Sequence, residues 1–216
     1  RLKSIIEHWD KDAVTDYKGQ TLQYHDVARK IEKVHILFEY SGIQKGDKIA
    51  LCGRSSSQWA VAFIATLTYG AVAVPILHEF MPEQIHNIVN HSDAKWILVS
   101  GNHLPKIRAI LQECPAVEKV IVLDDTAFDY EKLEPKEIRI SEIEKMGEEF
   151  LKAHRGEFEA RFRSVGPDDY ANISYTSGTT ADPKGILLTH RNYPANVEQA
   201  NSVVKVGKGD VMLIIT

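Results

Sequence analysis

The sequence has few of the features that mark secreted, membrane-spanning or metal-binding proteins. Only two of its 216 residues are cysteines, Cys52 and Cys114, and they form no CxxC or other metal-type spacing. No apolar run reaches the roughly 18 residues that a membrane-spanning helix requires. The first residues are polar, unlike the apolar stretch of a signal peptide. These absences favour a reduced, intracellular protein, and we expect a cytoplasmic location and no transmembrane segment.

The sequence also lacks an excess of charge of one sign. Lysine and arginine number 26, aspartate and glutamate number 30, and the net charge is -4. Without a long basic run, nucleic acid is not expected as a partner. Peripheral membrane contact and homo-oligomerisation are left open. A content of 44% hydrophobic and 26% charged residues is typical of a globular domain.

Short apolar segments alternate with amphipathic ones along most of the chain. The expected strands are 48–52, 71–74 (ended by Pro75), 95–99, 120–123, 173–175 and 186–188, and the expected helices are 25–41, 57–69, 82–91, 104–112 and 192–204. Residues 124–139 are expected to be irregular and exposed, and a capping box at Ser141 predicts a charged helix to about Gly156. This succession predicts an α/β fold, with a mostly parallel sheet and helices on both faces.

A short pattern occurs twice, which bears on the domain organisation. Residues 45–47 read Lys-Gly-Asp before an apolar strand, and residues 208–210 read the same before the apolar segment 211–215. Either any tight turn into a buried strand looks like this, or a second sheet begins at Val211. We expect residues 48–189 to form the first sheet with its helices and 211–216 to start a second, so that 1–216 is a truncated N-terminal α/β domain.

Residues 175–185 are the segment with the clearest chemistry. They read Tyr-Thr-Ser-Gly-Thr-Thr-Ala-Asp-Pro-Lys-Gly and lie between two expected strands. Hydroxyls, backbone N–H groups and one ammonium can together bind phosphate oxygens, and Gly178 allows close approach of the backbone. The segment is not a Walker P-loop, because Lys184 follows a proline and precedes a strand rather than opening a helix. By composition alone it could equally be a solvated surface hairpin.

The segment resembles a specific signature, Tyr-Thr-Ser-Gly-Thr-Thr-Gly-x-Pro-Lys-Gly, of the AMP-binding, adenylate-forming superfamily. Ten of the eleven positions agree when x is counted as free, and the departure is Ala181. Further family-like blocks occur in the same order at 21–24, 45–50, 69–75, 168–169 and 188–192. The resemblance therefore covers most of the chain.

This resemblance implies an ATP-dependent, two-step reaction. A carboxylate attacks the α-phosphate of ATP to give an acyl-adenylate and pyrophosphate, and the thiol of CoA then displaces AMP. It implies ATP, Mg²⁺ and CoA as ligands, with a small-molecule carboxylate, a fatty acid, as the acid. The closest type is a long-chain-fatty-acid–CoA ligase. The roles it implies are Thr176 near the metal, Ser177, Gly178, Thr179 and Thr180 around the phosphates, and Lys184 neutralising them.

The resemblance also places much of the site outside this sequence. The adenine site, the acyl pocket and a C-terminal lysine are expected there, so no catalytic residue is assigned and the chain is expected to be inactive alone. Two alternatives stay open: a peptide-synthetase adenylation domain, and a non-catalytic nucleotide-binding module in which Ala181 and Asp182 mark a decayed loop. If position 181 needs a positive φ, alanine costs on the order of 1 kcal/mol there.

The histidines receive no catalytic role from the sequence. His86 and His91 are five residues apart on an expected helix and face different directions, which argues against a shared metal ion. His190 follows an expected strand and is interpreted as structural.

Overall fold

The computed structural model describes residues 3–123, 132–142, 164–176, 184–207 and 209–214, with the single positions 153, 156 and 160. Most of the charged helix predicted at 141–156 lies outside these residues, although 140–142 are helical. The predicted phosphate-binding residues 177–180 also lie outside them, as do Ala181 and Asp182.

Nine strands are present in the described residues. In chain order they are β1 (Asp12–Thr15), β2 (Thr21–Gln23), β3 (Lys48–Cys52), β4 (Val72–Ile76), β5 (Trp96–Ser100), β6 (Lys119–Leu123), β7 (Glu137–Arg139), β8 (Tyr170–Tyr175) and β9 (Gly185–Thr189). The labelled helices are α1 (Lys3–Glu7), α2 (Tyr24–Tyr40), α3 (Ser57–Tyr69), α4 (Pro82–Ser92), α5 (Leu104–Arg108) and α6 (Asn192–Val203).

Seven of the strands form one mostly parallel sheet. Their order across the sheet is β7-β6-β5-β3-β4-β8-β9, and every pair is parallel except β8 with β9. From β3 the chain moves first to β4 on one side and then back to β5 on the other side, as in doubly wound folds. The predicted α/β fold class is confirmed.

Apolar clusters cover both faces of this sheet. On one face α2 and α3 pack through Phe38 and Tyr69, whose ring centroids lie 5.3 Å apart, and Phe38 also contacts Trp96 of β5 at 5.7 Å. On the other face α4 and α5 bury residues such as Ile85 and Leu104 against β3 to β6. Burying both faces explains why the central strands are continuous apolar runs rather than alternating ones.

A small antiparallel hairpin, β1 with β2, precedes the main sheet and was not predicted. It is joined to the helical layer by Asp16, which accepts hydrogen bonds from the Ser57 amide at 2.7 Å and the Ser57 hydroxyl at 2.6 Å. These bonds satisfy free donors at the first turn of α3. Within the described residues, no helix is both long and apolar enough to cross a membrane.

Three predicted boundaries are wrong. Pro75 does not end β4 but lies inside it, opposite Leu51, and the proline is tolerated because β8 pairs with β4 only at Ala73. The helix predicted at 104–112 ends at Arg108, and a tighter 3₁₀ turn follows at Leu111–Glu113.

The third correction concerns 124–139, which contains a strand at its end. Residues Glu137–Arg139 form β7 and pair in parallel with β6. A three-residue strand with charged residues at both ends is hard to recognise from the local sequence. Residues 211–214 are exposed and belong to no strand in the structure, so the second sheet stays a prediction.

Candidate functional site

The ends of the predicted phosphate loop meet at the top of the β8–β9 hairpin. Tyr175 and Gly185 are directly opposite each other in the antiparallel register, and the Thr176 amide donates to the Lys184 carbonyl at 3.4 Å. The structure therefore brings together two of the predicted site residues, Thr176 and Lys184, which are eight positions apart in the sequence. The other four, at 177–180, lie outside the described residues.

This bonded pair lies at the carboxyl end of β8, which runs parallel to β4. Ligands of open α/β sheets bind at this edge. The Thr176 and Lys184 side chains are both exposed there. A hydroxyl oxygen and an ammonium group in this position fit a hydrated Mg²⁺ and the polyphosphate that carries it.

The base of the loop is closely packed around Gly185. A Cβ atom at this position would lie 2.8 Å from Ile173 Cγ2 and 3.2 Å from the ring of Tyr175. The Tyr175 ring thus lies across Gly185, its cross-strand partner. Only glycine leaves enough space for the ring at this position.

The Tyr175 hydroxyl reaches helix α4. It lies 2.8 Å from Nδ1 of His91, and the two rings are nearly perpendicular, with centroids 5.7 Å apart. Burial, and secondarily the negative charge of Asp93, raises the pKa of Tyr175, so its hydroxyl is protonated at neutral pH. In the tautomer with its proton on Nε2, His91 accepts the hydrogen bond of this hydroxyl at Nδ1.

The opposite face of β8 carries a second polar contact. Asn172 is buried, accepts a hydrogen bond from the Tyr193 hydroxyl of α6 at 2.7 Å, and donates to Ser174 Oγ at 2.7 Å. Burial raises the pKa of Tyr193, which keeps it a donor. Residues 172 and 174 lie on the same face of the strand as Thr176. This strand is therefore attached to helices on both of its faces.

Three of the family-like sequence blocks meet at the other end of β8. Asp169 accepts from Lys45 Nζ at 2.6 Å and from the Gly166 amide at 2.7 Å, and Asp168 forms a two-bond pair with Arg191 at 2.9 and 3.0 Å. The Lys45 hydrogen bond, followed by the Gly166 amide, holds the pKa of Asp169 below its usual range. These contacts lie at the amino end of the strand, so they stabilise the hairpin from the end opposite the loop.

An open cavity of about 850 Å³ lies beside this hairpin. Its lining includes Lys45, His91, Asp169, Tyr175 and Gly185. Neither Thr176 nor Lys184 lines it. The cavity therefore reaches the base of the predicted loop but is not the predicted phosphate site.

The sequence did not indicate the contacts of His91, Asn172 or Tyr193. The His91–Tyr175 contact spans 84 positions of the chain, and no local pattern reports a pair so distant. His190 lies directly after β9, and its amide donates to the Asp169 carbonyl at 3.0 Å.

Comparison with known proteins identifies the class to which this fold and signature belong. The model of the AMP-binding enzyme family matches residues 4–216, and the chain belongs to that family. Among curated relatives, a peroxisomal long chain acyl-CoA synthetase of Arabidopsis thaliana is 30% identical over 200 residues, covering 93% of this chain and 28% of the relative. A fatty acyl-CoA synthetase of Dictyostelium discoideum is 26% identical over 194 residues, covering 86% of this chain and 27% of the relative.

Solved structures of two ligases share the fold. A coronafacic acid ligase from Pectobacterium brasiliense superimposes with a TM-score of 0.78 at 18% identity, covering 96% of this chain and 37% of that one. An anthranilate CoA ligase in complex with anthranoyl-AMP gives a TM-score of 0.73 at 20% identity, covering 91% and 35%. The chain thus spans about 28% of the length of its first curated relatives.

Proposed function

We propose that this chain is the triphosphate-binding part of an AMP-forming acyl-CoA ligase. The reaction is attack of a carboxylate on the α-phosphate of ATP, which releases pyrophosphate, followed by transfer of the acyl group from AMP to the thiol of CoA. The observation that carries the proposal is the hydrogen bond that joins Thr176 to Lys184 at the carboxyl end of β8, in a chain of the AMP-binding family.

The proposed roles follow from the chemistry of nucleotidyl transfer. That step depends mainly on positioning and on stabilising charge, so hydroxyls, amides and an ammonium are suitable groups. Lys184 would neutralise the departing phosphates, and 177–180 would bind them with hydroxyl and amide groups. Thr176 would lie nearest a Mg²⁺ ion, which supplies further neutralisation of the leaving pyrophosphate when it is bound.

We further propose a fatty acid as the carboxylate. Three of the curated relatives are named as long chain or fatty acyl-CoA synthetases. Others are named for different acids, among them crotonobetaine and 4-coumarate. The chain would act as part of a longer protein, because it corresponds to less than a third of those synthetases. In the longer protein, residues 48–189 would form the first sheet with its helices, and residues 211–216 would begin a second sheet.

The test is ATP–pyrophosphate exchange by the full-length protein with a panel of fatty acids, with CoA-dependent release of AMP measured in parallel. The Lys184→Ala variant should lower exchange at least about tenfold, or roughly 1.4 kcal/mol in the barrier. Lys11→Ala removes an exposed lysine ahead of the β1–β2 hairpin and should leave exchange unchanged. No exchange with any acid would disprove the activity, and normal exchange by a folded Lys184→Ala protein would disprove the assignment of the loop.

A further inference from the structure

Resting on the proposed function, we infer that His91 is a positioning residue for the phosphate loop and acts through Tyr175. His91 lies on helix α4, outside the hairpin. Its Nδ1 atom lies 2.8 Å from the hydroxyl of Tyr175, the last residue of β8 before the loop.

The packing of α4 fixes the position of His91. Ile85, Ile88 and Val89 bury that helix against the sheet, and its end is set by Asp93, which has a positive φ of 52°. His91 lies in the last turn of this helix. A side chain on such an element has a better-defined position than one on a loop.

The packing around Gly185 fixes the position of the Tyr175 ring. The Tyr175 ring is confined between its cross-strand glycine and the imidazole, which it meets at an interplanar angle of 87°. When the ring leaves this position, the backbone at 175 loses packing contacts next to the Thr176 amide, which donates to the Lys184 carbonyl. Removing the hydrogen bond therefore allows the two ends of the loop to move relative to the sheet.

Because the contact is a single hydrogen bond at an exposed position, its effect is limited. The net contribution of such a bond corresponds to about a fivefold change in an equilibrium constant. Binding and activation of ATP depend on the loop, whereas the acyl group does not contact it in the proposed reaction. Loss of the bond should consequently reduce kcat/KM for ATP and leave KM for the acid unchanged.

The variants that separate positioning from general stability are His91→Leu, His91→Asn and Tyr175→Phe. Leucine removes the acceptor, whereas the amide oxygen of asparagine occupies nearly the place of Nδ1 and can still accept from the tyrosine. In the full-length protein we expect about a fivefold loss of kcat/KM for ATP in His91→Leu and Tyr175→Phe, no larger loss in the double variant, and recovery in His91→Asn. His86→Leu, on the same helix but bonded to Asn90, is the matched control and should keep the wild-type value.

A second readout does not depend on activity. Amide hydrogen exchange at Thr176 should be faster in His91→Leu than in wild type and in His91→Asn, while exchange in the centre of β3 stays the same. If the wild-type protein shows no ATP–pyrophosphate exchange, the proposed function fails. Hydrogen exchange at the Thr176 amide still tests whether His91 positions the end of β8. The inference is overturned if His91→Leu and His91→Asn behave alike, or if KM for the acid changes as much as kcat/KM for ATP.

Discussion

Gly185 shows how one residue at the base of the loop depends on contacts that no sequence pattern reveals. It lies at the end of the signature, in strand β9, and faces the ring of Tyr175. An added Cβ would lie within 2.8 Å of Ile173 Cγ2. The requirement for glycine is therefore steric and comes from the neighbouring strand.

We predict that Gly185→Ala destabilises the hairpin. Overpacking of this kind costs about 1–3 kcal/mol, because either Ile173 or Tyr175 must leave its position. Chemical denaturation with urea measures the loss. Gly207→Ala is the control, since its Cβ would meet only Asp210 Oδ2 at 3.6 Å, and it should change the free energy of unfolding by less than about 0.5 kcal/mol. Equal effects of the two substitutions would contradict the steric explanation.

At the scale of elements, one ion pair joins α5 to the edge strand β7. Arg108 donates to both carboxylate oxygens of Glu137, at 2.7 and 2.6 Å, and the Glu137 side chain is fully buried. Burial by itself opposes ionisation of this carboxyl, but the Arg108 guanidinium and the Glu134 amide hold the pKa of Glu137 below its usual range. The short strand that the sequence did not predict is thus attached to the fold partly by charge.

We predict that Glu137→Gln destabilises the protein in a pH-dependent manner. At neutral pH the substitution leaves Arg108 without its buried partner, a loss of about 3 kcal/mol. Because the folded pKa is depressed, the stability due to the carboxylate is complete above the unfolded value of about 4.3 and is lost as pH falls through the folded one. The difference between wild type and Glu137→Gln should therefore shrink below about pH 4.3.

Urea denaturation at several pH values measures that difference, and Glu134→Gln serves as the control in the same cluster. Glu134 is more than half exposed and lies 3.8 Å from Arg108, so its loss should cost less than about 1 kcal/mol. A wild-type to Glu137→Gln difference that stayed constant down to pH 3 would rule out the ionised pair as its source.

Over the whole molecule, apolar surface is distributed unevenly. The clusters on the two faces of the sheet are well buried, whereas large apolar side chains are exposed toward the C-terminal part of the described chain. The exposed residues there include Ile186, Leu187, Val197, Val203, Val211, Met212, Leu213 and Ile214. Where such exposed apolar side chains form a contiguous patch, the patch is typical of an interface.

We predict that the 216-residue chain by itself folds but does not activate carboxylates. Its two core clusters should give cooperative unfolding in urea, whereas a phosphate loop alone supplies no site for the acid. ATP–pyrophosphate exchange with fatty acids should equal the rate without protein. The full-length protein is the positive control, and exchange by the short chain at a comparable rate would show that the remaining sequence is not needed.

Much of the fold could be predicted because its signals are local. The bounds of β3 and α3 follow from an apolar run after a turn at Gly46 and from a helix ending at Gly70, whose φ is 91°. The loop signature likewise predicts Thr176 and Lys184 as phosphate-binding residues from residue types at fixed spacing, and this assignment stays a prediction. Local periodicity and local chemistry are contained in the sequence itself.

The tertiary structure decided what depends on residues distant in the chain. It placed Pro75 inside a strand, paired the short β7 with β6, reversed β9 against β8 and brought His91 to Tyr175. Each of these results from packing between elements, where the free energy depends on shape and burial that no single segment specifies. By itself the sequence determined which elements form and which family signature they carry; only the assembled sheet decided what contacts the strands that flank the loop.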